Sequence, residues 1–243
     1  MRVRDRPRRL ANRRQPGNKA AQILIDRKRT LPTKNGRRQR VNDPEGTKRN
    51  IVEVATREFA QKGYGGARVD AIAQRTRTSK RMIYYYFGGK EGLYLAVLDA
   101  AYAGIRRAEA TLDLEKLPAE TALRTLTGFT FDYYQAHPEF VRLVMNENIM
   151  DGVHMARSRT IGKLNVTVID VLRRLVVRGQ KEGIFRRDID PLELHMSISA
   201  LGIFHVANRA TFSTIFRRDM NSPKALAARR RQIADIIVRH VKQ

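Results

Sequence analysis

The sequence predicts an all-α protein. From Thr47 onward, apolar residues recur at the three- and four-residue spacing that places them on one face of a helix. No segment of useful length alternates between apolar and polar residues as a β-strand does, and no internal repeat is present. Glycine and proline interrupt the helical pattern at intervals, which divides it into separate helices.

The first part of this pattern predicts a long helix, two short helices and another long one. The first helix ends at Lys62-Gly63, and the second spans only two turns. The third runs from Lys80 to Phe87, with Ser79 placed to cap its N-terminus and Gly88-Gly89 to stop it. The apolar faces are, in order, Ile51, Val54, Ala55 and Phe59; Val69, Ile72, Ala73 and Thr76; Ile83 and Phe87; Leu93, Val97, Ala100, Ala101 and Ile105.

After a polar joint that contains Pro118, the remaining chain also reads as helix. Breaks at His137-Pro138 and near residues 181–185 separate the apolar stripes. Residues 191–216 are apolar nearly all round, which predicts a helix buried on several sides. The stripes are Leu123, Leu126, Thr130, Tyr133 and Tyr134; residues 139–150; Leu164, Val168, Val171, Leu172, Leu175 and Val176; and, in the last helix, Leu226, Ile233, Ile237 and Val241.

The composition points to a polyanionic partner. The chain of 243 residues has a formal net charge of +24, and nucleic acid is the favoured partner over an anionic membrane or ribosomal RNA. With no cysteine, disulfides and thiolate chemistry are excluded. No apolar run is long enough to span a membrane and no signal peptide is recognised, so we expect a cytoplasmic protein.

Much of the positive charge lies at the start of the chain. Residues 1–46 carry 15 Lys and Arg against 4 Asp and Glu, with almost no periodic apolar residues. Such a segment buries too little surface to offset the entropy of ordering, so we predict a disordered basic arm. The alternatives are an inert tail and a start codon assigned too far upstream.

Between Thr47 and Arg107, the two short helices form a helix-turn-helix if the second is accessible to a groove of DNA. Ile83 and Phe87 lie on its inner side, so Lys80, Arg81, Tyr84 and Tyr85 face outward with Met82 and Tyr86 at the flanks. A cationic and aromatic face suits phosphate oxygens and base edges. The stretch "GGKEG" lacks the spacing of a phosphate-binding loop, and a simple packing layer remains the alternative for the tyrosines.

The stretch from Ile51 to Leu98 resembles the DNA-binding domain of the TetR family of bacterial transcriptional regulators. Shared landmarks are Ala55, Phe59, Gly63-Tyr64, Val69, Ile72-Ala73, Ser79, Tyr84, Tyr86-Phe87, Lys90-Glu91 and Leu93. The layout of about nine helices is also similar. Ala67-Arg68 departs from the hydroxyl residue that usually opens the second helix, and Arg77 stands where the family turn usually has glycine. A left-handed Arg77 would carry strain of roughly 1 kcal/mol.

The resemblance implies residues that contact DNA and a division into domains. Residues 1–46 would be the arm, 47–107 the DNA-binding domain, and 108–243 the domain that binds a small effector and forms the dimer. The implied partners are a double-stranded operator, a second copy of the chain and an unknown small molecule, with no membrane, cofactor or metal. The DNA-contacting candidates are Lys48, Arg68, Ser79, Lys80, Arg81, Met82, Tyr84, Tyr85, Tyr86 and Lys90.

Polar residues inside apolar helices are the candidates for contacts with the effector. Glu147 lies between apolar neighbours and needs a partner, either a ligand or an arginine such as Arg142. Histidines in such helices are more often satisfied core residues than ligands. The effector candidates are Tyr133, Tyr134, Asn146, Glu147, His195 and Asn208, with Asn148, His154 and His205 as further polar groups.

These observations favour a homodimeric repressor that an effector releases from a palindromic operator. The alternative is a constitutive architectural protein that coats DNA without an effector. An enzyme is disfavoured, because the sequence offers only isolated acids and bases and no convergent catalytic set.

Overall fold

The computed structural model describes residues 43–243, and this part of the chain is all-α apart from one isolated bridge between Phe185 and Lys242. Residues 1–42, which make up most of the predicted arm, lie outside the described residues. The helices are α1 Pro44–Gly66, α2 Val69–Thr76, α3 Lys80–Phe87, α4 Lys90–Glu109, α5 Ala119–Ala136, α6 Pro138–Ile149, α7 Arg159–Lys181, α8 Pro191–Ile215 and α9 Pro223–Val241. Short 3₁₀ turns lie at Leu114–Lys116 and Met155–Arg157.

The first helix begins three residues before the predicted boundary of the arm. Asp43 caps it by accepting a hydrogen bond from the backbone N–H of Gly46, and Pro44 occupies the first turn, where a missing N–H costs nothing. Its regular part ends at Gly63, whose φ of +66° breaks the helix where the sequence predicted the end. Residues 44–46 are therefore helical.

The helices α1 to α4 share one core, as their apolar stripes predicted. Ile51, Phe59, Ile72, Ile83 and Leu93 are each 0% exposed and lie in a single cluster. Leu143 of α6 and Ile161 of α7 belong to the same cluster, so the carboxy-terminal helices complete it. The core of α1 to α4 is therefore continuous with the carboxy-terminal helices.

The carboxy-terminal helices pack around α5. This helix contacts α6, α7, α8 and α9, and its Leu123 and Leu126 enter a second core with Leu172, Ile198 and Ile237. Within residues 43–243, no helix combines the length and the apolarity needed to cross a bilayer.

Helix α8 differs from the prediction of burial on several sides. Its buried residues include Leu194, Ile198 and Val206, all on the side that packs against the rest of the chain. The opposite side leaves large apolar residues exposed, namely Leu192, Met196, Phe204 and Ile215. A pattern that is apolar all round therefore reflects one covered and one uncovered face.

Candidate nucleic-acid interface

The turn between α2 and α3 has the geometry of a helix-turn-helix. Arg77 ends α2 in the left-handed region, with φ 53° and ψ 33°, the conformation usually given to glycine in the family turn. The Oγ of Ser79 accepts a hydrogen bond from the backbone N–H of Met82 at 3.2 Å, which confirms its role as the cap of α3. Arg68 precedes α2, its side chain forms no capping hydrogen bond, and the residue is exposed.

Helix α3 separates its inner and outer residues as predicted. Ile83 is fully buried, and Phe87 packs partly against the same core. On the outer side, Arg81 is exposed, Tyr84 is 47% exposed and Tyr85 is 78% exposed. The face formed by Lys80, Arg81, Tyr84 and Tyr85 is called the outer face of α3 below.

The ammonium group of Lys80 is held in place from the preceding helix. Its Nζ lies 3.1 Å from a carboxylate oxygen of Asp70, at the start of α2. Both side chains are more than half exposed, so the pair contributes little stability. The contact does place the ammonium group of Lys80 next to the start of α2.

At the edge of this face, Tyr86 and Lys48 lie next to each other. Tyr86 packs partly on the core, and the Nζ of Lys48 lies 5.5 Å above its ring centroid. The hydrogen bond from Lys48 to Glu45, at 2.9 Å, raises the pKa of the ammonium group. The start of α1 therefore brings a cation next to α3, as the resemblance implied.

Lys90 stands at the start of α4, but its side chain is directed differently from the expectation. Its ammonium donates to the carbonyl oxygen of Gly65 at 3.3 Å and lies 4.9 Å above the ring centroid of Tyr64. Lys90 therefore ties α4 to the end of α1. The close approach of α3 and α4 also depends on Gly92, since a Cβ there would lie 1.8 Å from the carbonyl oxygen of Phe87.

A buried carboxylate that the sequence analysis missed supports the helix-turn-helix from behind. Glu58 is 0% exposed and accepts hydrogen bonds from Lys62 at 2.7 Å, from Arg75 of α2 at 3.0 Å and from the backbone N–H of Arg68 at 3.4 Å. It thus joins α1 to both ends of α2. The signal in the sequence was its position beside Phe59, on the apolar side of α1.

The six effector candidates do not form one site, and two of them lie where α6 meets the DNA-binding helices. Asn146 donates to the carbonyl oxygen of Phe59 at 3.3 Å. Glu147, which is 1% exposed, contacts the Nδ1 of His154 at 3.0 Å and accepts from the backbone N–H of Met155 at 2.9 Å. Of the two alternatives for Glu147, the pairing with an arginine such as Arg142 is not formed, because Arg142 is exposed while the segment after α6 folds back over Glu147.

Tyr133, Tyr134 and His195 lie within the electrostatic influence of a buried ion pair that was not expected from the sequence. Arg106 and Glu109 of α4 lie 2.8 Å apart, with side chains only 10% and 11% exposed. Burial raises the pKa of Glu109 to about 7, against the opposing charge of Arg106. Burial also lowers the pKa of His195 to about 4, and the Arg106 charge adds to this.

The remaining candidate, Asn208, lies near the end of α8. Its side-chain amide donates to the carbonyl oxygen of Phe204 at 3.0 Å, and it lines a cavity of about 350 Å³ between α8 and α9.

Helix α3 exposes cationic and aromatic residues and is anchored on its other side in a buried core. These are the features of a helix-turn-helix DNA-binding protein. Comparisons with known proteins agree. Residues 51–97 match the family described as bacterial regulatory proteins, tetR family, and residues 119–237 match the Tetracyclin repressor-like, C-terminal domain.

The chain is also similar to individual members of that family. It is 36% identical over 204 residues to the HTH-type transcriptional repressor NicS of Pseudomonas putida. The aligned residues cover 84% of this chain and 96% of NicS. A second HTH-type repressor, from Streptomyces coelicolor, is 38% identical over 112 residues, 45% of this chain and 54% of that protein. The crystal structure of a putative transcriptional regulator from Streptomyces coelicolor superimposes with a TM-score of 0.62 at 27% identity, covering 80% of this chain and 98% of that one.

The chain belongs to the TetR family of bacterial transcriptional regulators. It is a DNA-binding regulator and not an enzyme.

Proposed function

We propose that the chain is a homodimeric repressor that leaves a palindromic operator when a small molecule binds its carboxy-terminal domain. The outer face of α3 carries this proposal, because it exposes two tyrosines and two cations on a helix whose other side is anchored in the core. Two relatives with the same domain are named as repressors. On this proposal the protein is located in the cytoplasm, where its DNA partner lies.

On this proposal, the residues around α3 divide between positioning and reading. Tyr84, Ser79, Arg68 and Lys48 lie at the rim and contact phosphates, while Lys80, Arg81, Met82 and Tyr85 reach base edges. Tyr86 positions Lys48 through its ring. Lys90 reaches a phosphate only by giving up or sharing its contact with Gly65, so DNA binding and the α1–α4 junction are linked there.

The dimer is proposed from the uncovered side of α8. Met196 is 57% exposed, Phe204 48% and Ile215 69%, and Ile236 on α9 is 41% exposed. Several large exposed apolar side chains on neighbouring helices are typical of an interaction site, and pairing α8 and α9 with those of a second copy would bury them in a four-helix interface. Two copies also supply the two reading heads that a palindrome requires.

Release by an effector is proposed from α4, which connects the DNA-binding helices with the proposed effector-binding region. It has 20 residues, beginning at Lys90 beside the outer face of α3 and ending with the Arg106–Glu109 pair. At 1.5 Å per residue the helix is about 30 Å long. A ligand that displaces Tyr133, Tyr134 or His195 from Arg106 would shift α4 and with it the spacing of the reading heads.

The test is DNA binding at matched salt, after recovery of the bound genomic DNA has supplied an operator. A specific regulator should prefer the operator over random DNA by roughly 10³-fold or more. Arg81→Gln should reduce that preference, whereas Arg142→Gln, an exposed arginine on α6, should not. Equal affinity for operator and random DNA would contradict the proposal and favour the architectural alternative.

A further inference from the structure

The cavity between α8 and α9 has the features of a ligand site, and its wall does not include the buried Arg106–Glu109 pair. Its volume of about 350 Å³ is at the lower end of the range for small-molecule sites, which is roughly 300–1,000 Å³. Residues of α8, of the connection after it and of the first half of α9 all contribute to its walls. A small ligand would therefore contact three successive segments.

Positive charge without an acidic partner lines one side of this cavity. Arg209, Arg218 and Arg229 all contribute to the wall. Arg209 donates to the amide oxygen of Gln135 at 3.2 Å and Arg229 to that of Gln232 at 3.1 Å. Within residues 43–243, no carboxylate forms an ion pair with any of the three. An anion in the cavity would therefore meet charge that is not already neutralised.

A buried polar atom lies at the same wall without a partner. His205 is 4% exposed, and its Nε2 has no hydrogen-bond partner among the described residues. Because this atom is buried and the ring also forms a hydrogen bond with the backbone of Met220, His205 is a wall of the cavity and not a donor toward it. Burial, and after it the charge of Arg229, lowers the pKa of His205, so the ring adds no charge to this wall.

The other walls are apolar and aromatic. Phe204 and Phe212 stand with ring centroids 5.4 Å apart in an edge-to-face arrangement, and Met220, Ala225 and Ala228 complete this side. An inorganic ion would leave these walls bare. A flat or compact hydrocarbon body fits them, with its charged end toward the arginines.

From these features we propose that the cavity between α8 and α9 binds a small organic carboxylate with an apolar body. The carboxylate lies among the guanidinium groups of Arg209, Arg218 and Arg229. The hydrocarbon part lies between Phe204, Phe212 and Met220. Arginine suits this role because its planar fork of donors matches the two carboxylate oxygens.

The location gives such binding a consequence that rests on the proposed function. Phe204 forms a wall of the cavity and is also part of the exposed apolar side of α8. His205 packs on Phe131 of α5, with ring centroids 5.4 Å apart. A ligand that spreads α8 from α9 would therefore change the surface proposed to join the two copies, and so the spacing of the reading heads.

The test is calorimetric titration of the full chain, without DNA, with benzoate, phenylacetate, cyclohexanecarboxylate and octanoate, each compared with its neutral primary amide. At least one carboxylate should bind with a dissociation constant of about 1 mM or tighter, and its amide should bind much more weakly. Arg218→Gln and Arg229→Gln should each weaken binding by about 10- to 100-fold, as expected for a lost charged hydrogen bond. Arg231→Gln, an exposed arginine on α9 outside the cavity wall, is the matched control and should leave binding unchanged.

A second variant tests the site without changing its charge. Ala228→Phe fills the cavity from α9 and should abolish binding while the far-ultraviolet circular dichroism and the oligomeric state stay unchanged. Binding of none of the carboxylates, equal binding of the amides, or loss of binding in Arg231→Gln to the same extent would overturn the proposal. Operator affinity is measured separately with the bound carboxylate. An unchanged affinity would leave the ligand site standing and contradict only its role in release.

Discussion

Replacing Glu58 with Gln should destabilise the protein by about 2 kcal/mol and weaken operator binding. The carboxylate is fully buried and accepts from Lys62, Arg75 and the backbone N–H of Arg68. Gln keeps the size of the side chain, but it has one oxygen instead of two and turns an NH₂ group toward one of the cations.

The magnitude follows from these three contacts. A hydrogen bond between charged groups contributes about 1.5–3 kcal/mol, but Lys62 and Arg75 are 43% and 52% exposed and recover water when they are released. Losing one of these two contacts, once the recovered hydration is taken into account, lowers the free energy of unfolding by about 2 kcal/mol. Glu58→Ala should cost more, about 3 kcal/mol, because it also leaves a void and an unpaired backbone N–H.

The assay is urea unfolding at neutral pH, followed by titration of the operator. Glu53→Gln is the matched control, because Glu53 forms a pair with Arg57 on the same helix but the two are 65% and 63% exposed. That change should cost less than about 0.5 kcal/mol. If Glu58→Gln is no more destabilising than Glu53→Gln, the role given to Glu58 as the support of α2 is wrong.

Acid provides a second measurement on the same pair of proteins. Burial is the largest single influence on Glu58 and acts to raise its pKa, but the Lys62 hydrogen bond, the Arg68 N–H and the two positive charges hold the pKa below 4.5. The stabilisation is therefore present above about pH 4.5 and is lost as the pH falls through the lower pKa of the folded state. The stability difference between wild type and Glu58→Gln should shrink in that range.

Four further predictions concern the other sites. Tyr84→Phe and Lys90→Ala should weaken binding to operator and random DNA alike, measured by fluorescence anisotropy, whereas Arg81→Gln should also change base preference. Since burial raises the pKa of Glu109 to about 7, the folded chain holds a proton that the unfolded chain loses near pH 4.5. The free energy of unfolding should therefore fall by roughly 2–3 kcal/mol from this group as the pH rises between these values, and Glu109→Gln should remove that part of the pH dependence. Met196→Glu should weaken the proposed dimer in sedimentation experiments, while Arg231→Gln should not. Removing residues 1–42, which leaves the Asp43 cap of α1 in place, should lower operator affinity and flatten its salt dependence without changing the preferred sequence, since each phosphate neutralised contributes about 0.9 to the slope.

Each of these has an outcome that contradicts it. Full operator affinity after both Tyr84→Phe and Lys90→Ala would remove these residues from the DNA contacts. Equal pH dependence in wild type and Glu109→Gln would mean that Glu109 ionises as an exposed acid does. A dimer that survives Met196→Glu would place the interface elsewhere, and identical salt slopes for the full and shortened chains would mean that the arm stays off the DNA.

Features that depend on near neighbours along the chain could be predicted from the sequence. The bounds of α3, the cap at Ser79, the left-handed Arg77 and the inward direction of Ile83 follow from spacing, capping and turn preferences within a few residues. A helix fixes which residues share a face, so the outer face of α3 was predicted correctly before its surroundings were known.

The contacts between polar groups of different helices depend instead on how the helices pack. Glu147 pairs with His154 because the segment after α6 folds back, and Glu58 joins three groups from α1 and α2. Lys90 points to Gly65 because α4 starts beside the end of α1. Side-chain partners across helices depend on packing angles and on loop paths, which nearest-neighbour patterns do not encode. For the same reason an all-apolar α8 did not reveal its uncovered side, since that depends on where α5, α7 and α9 pack against it.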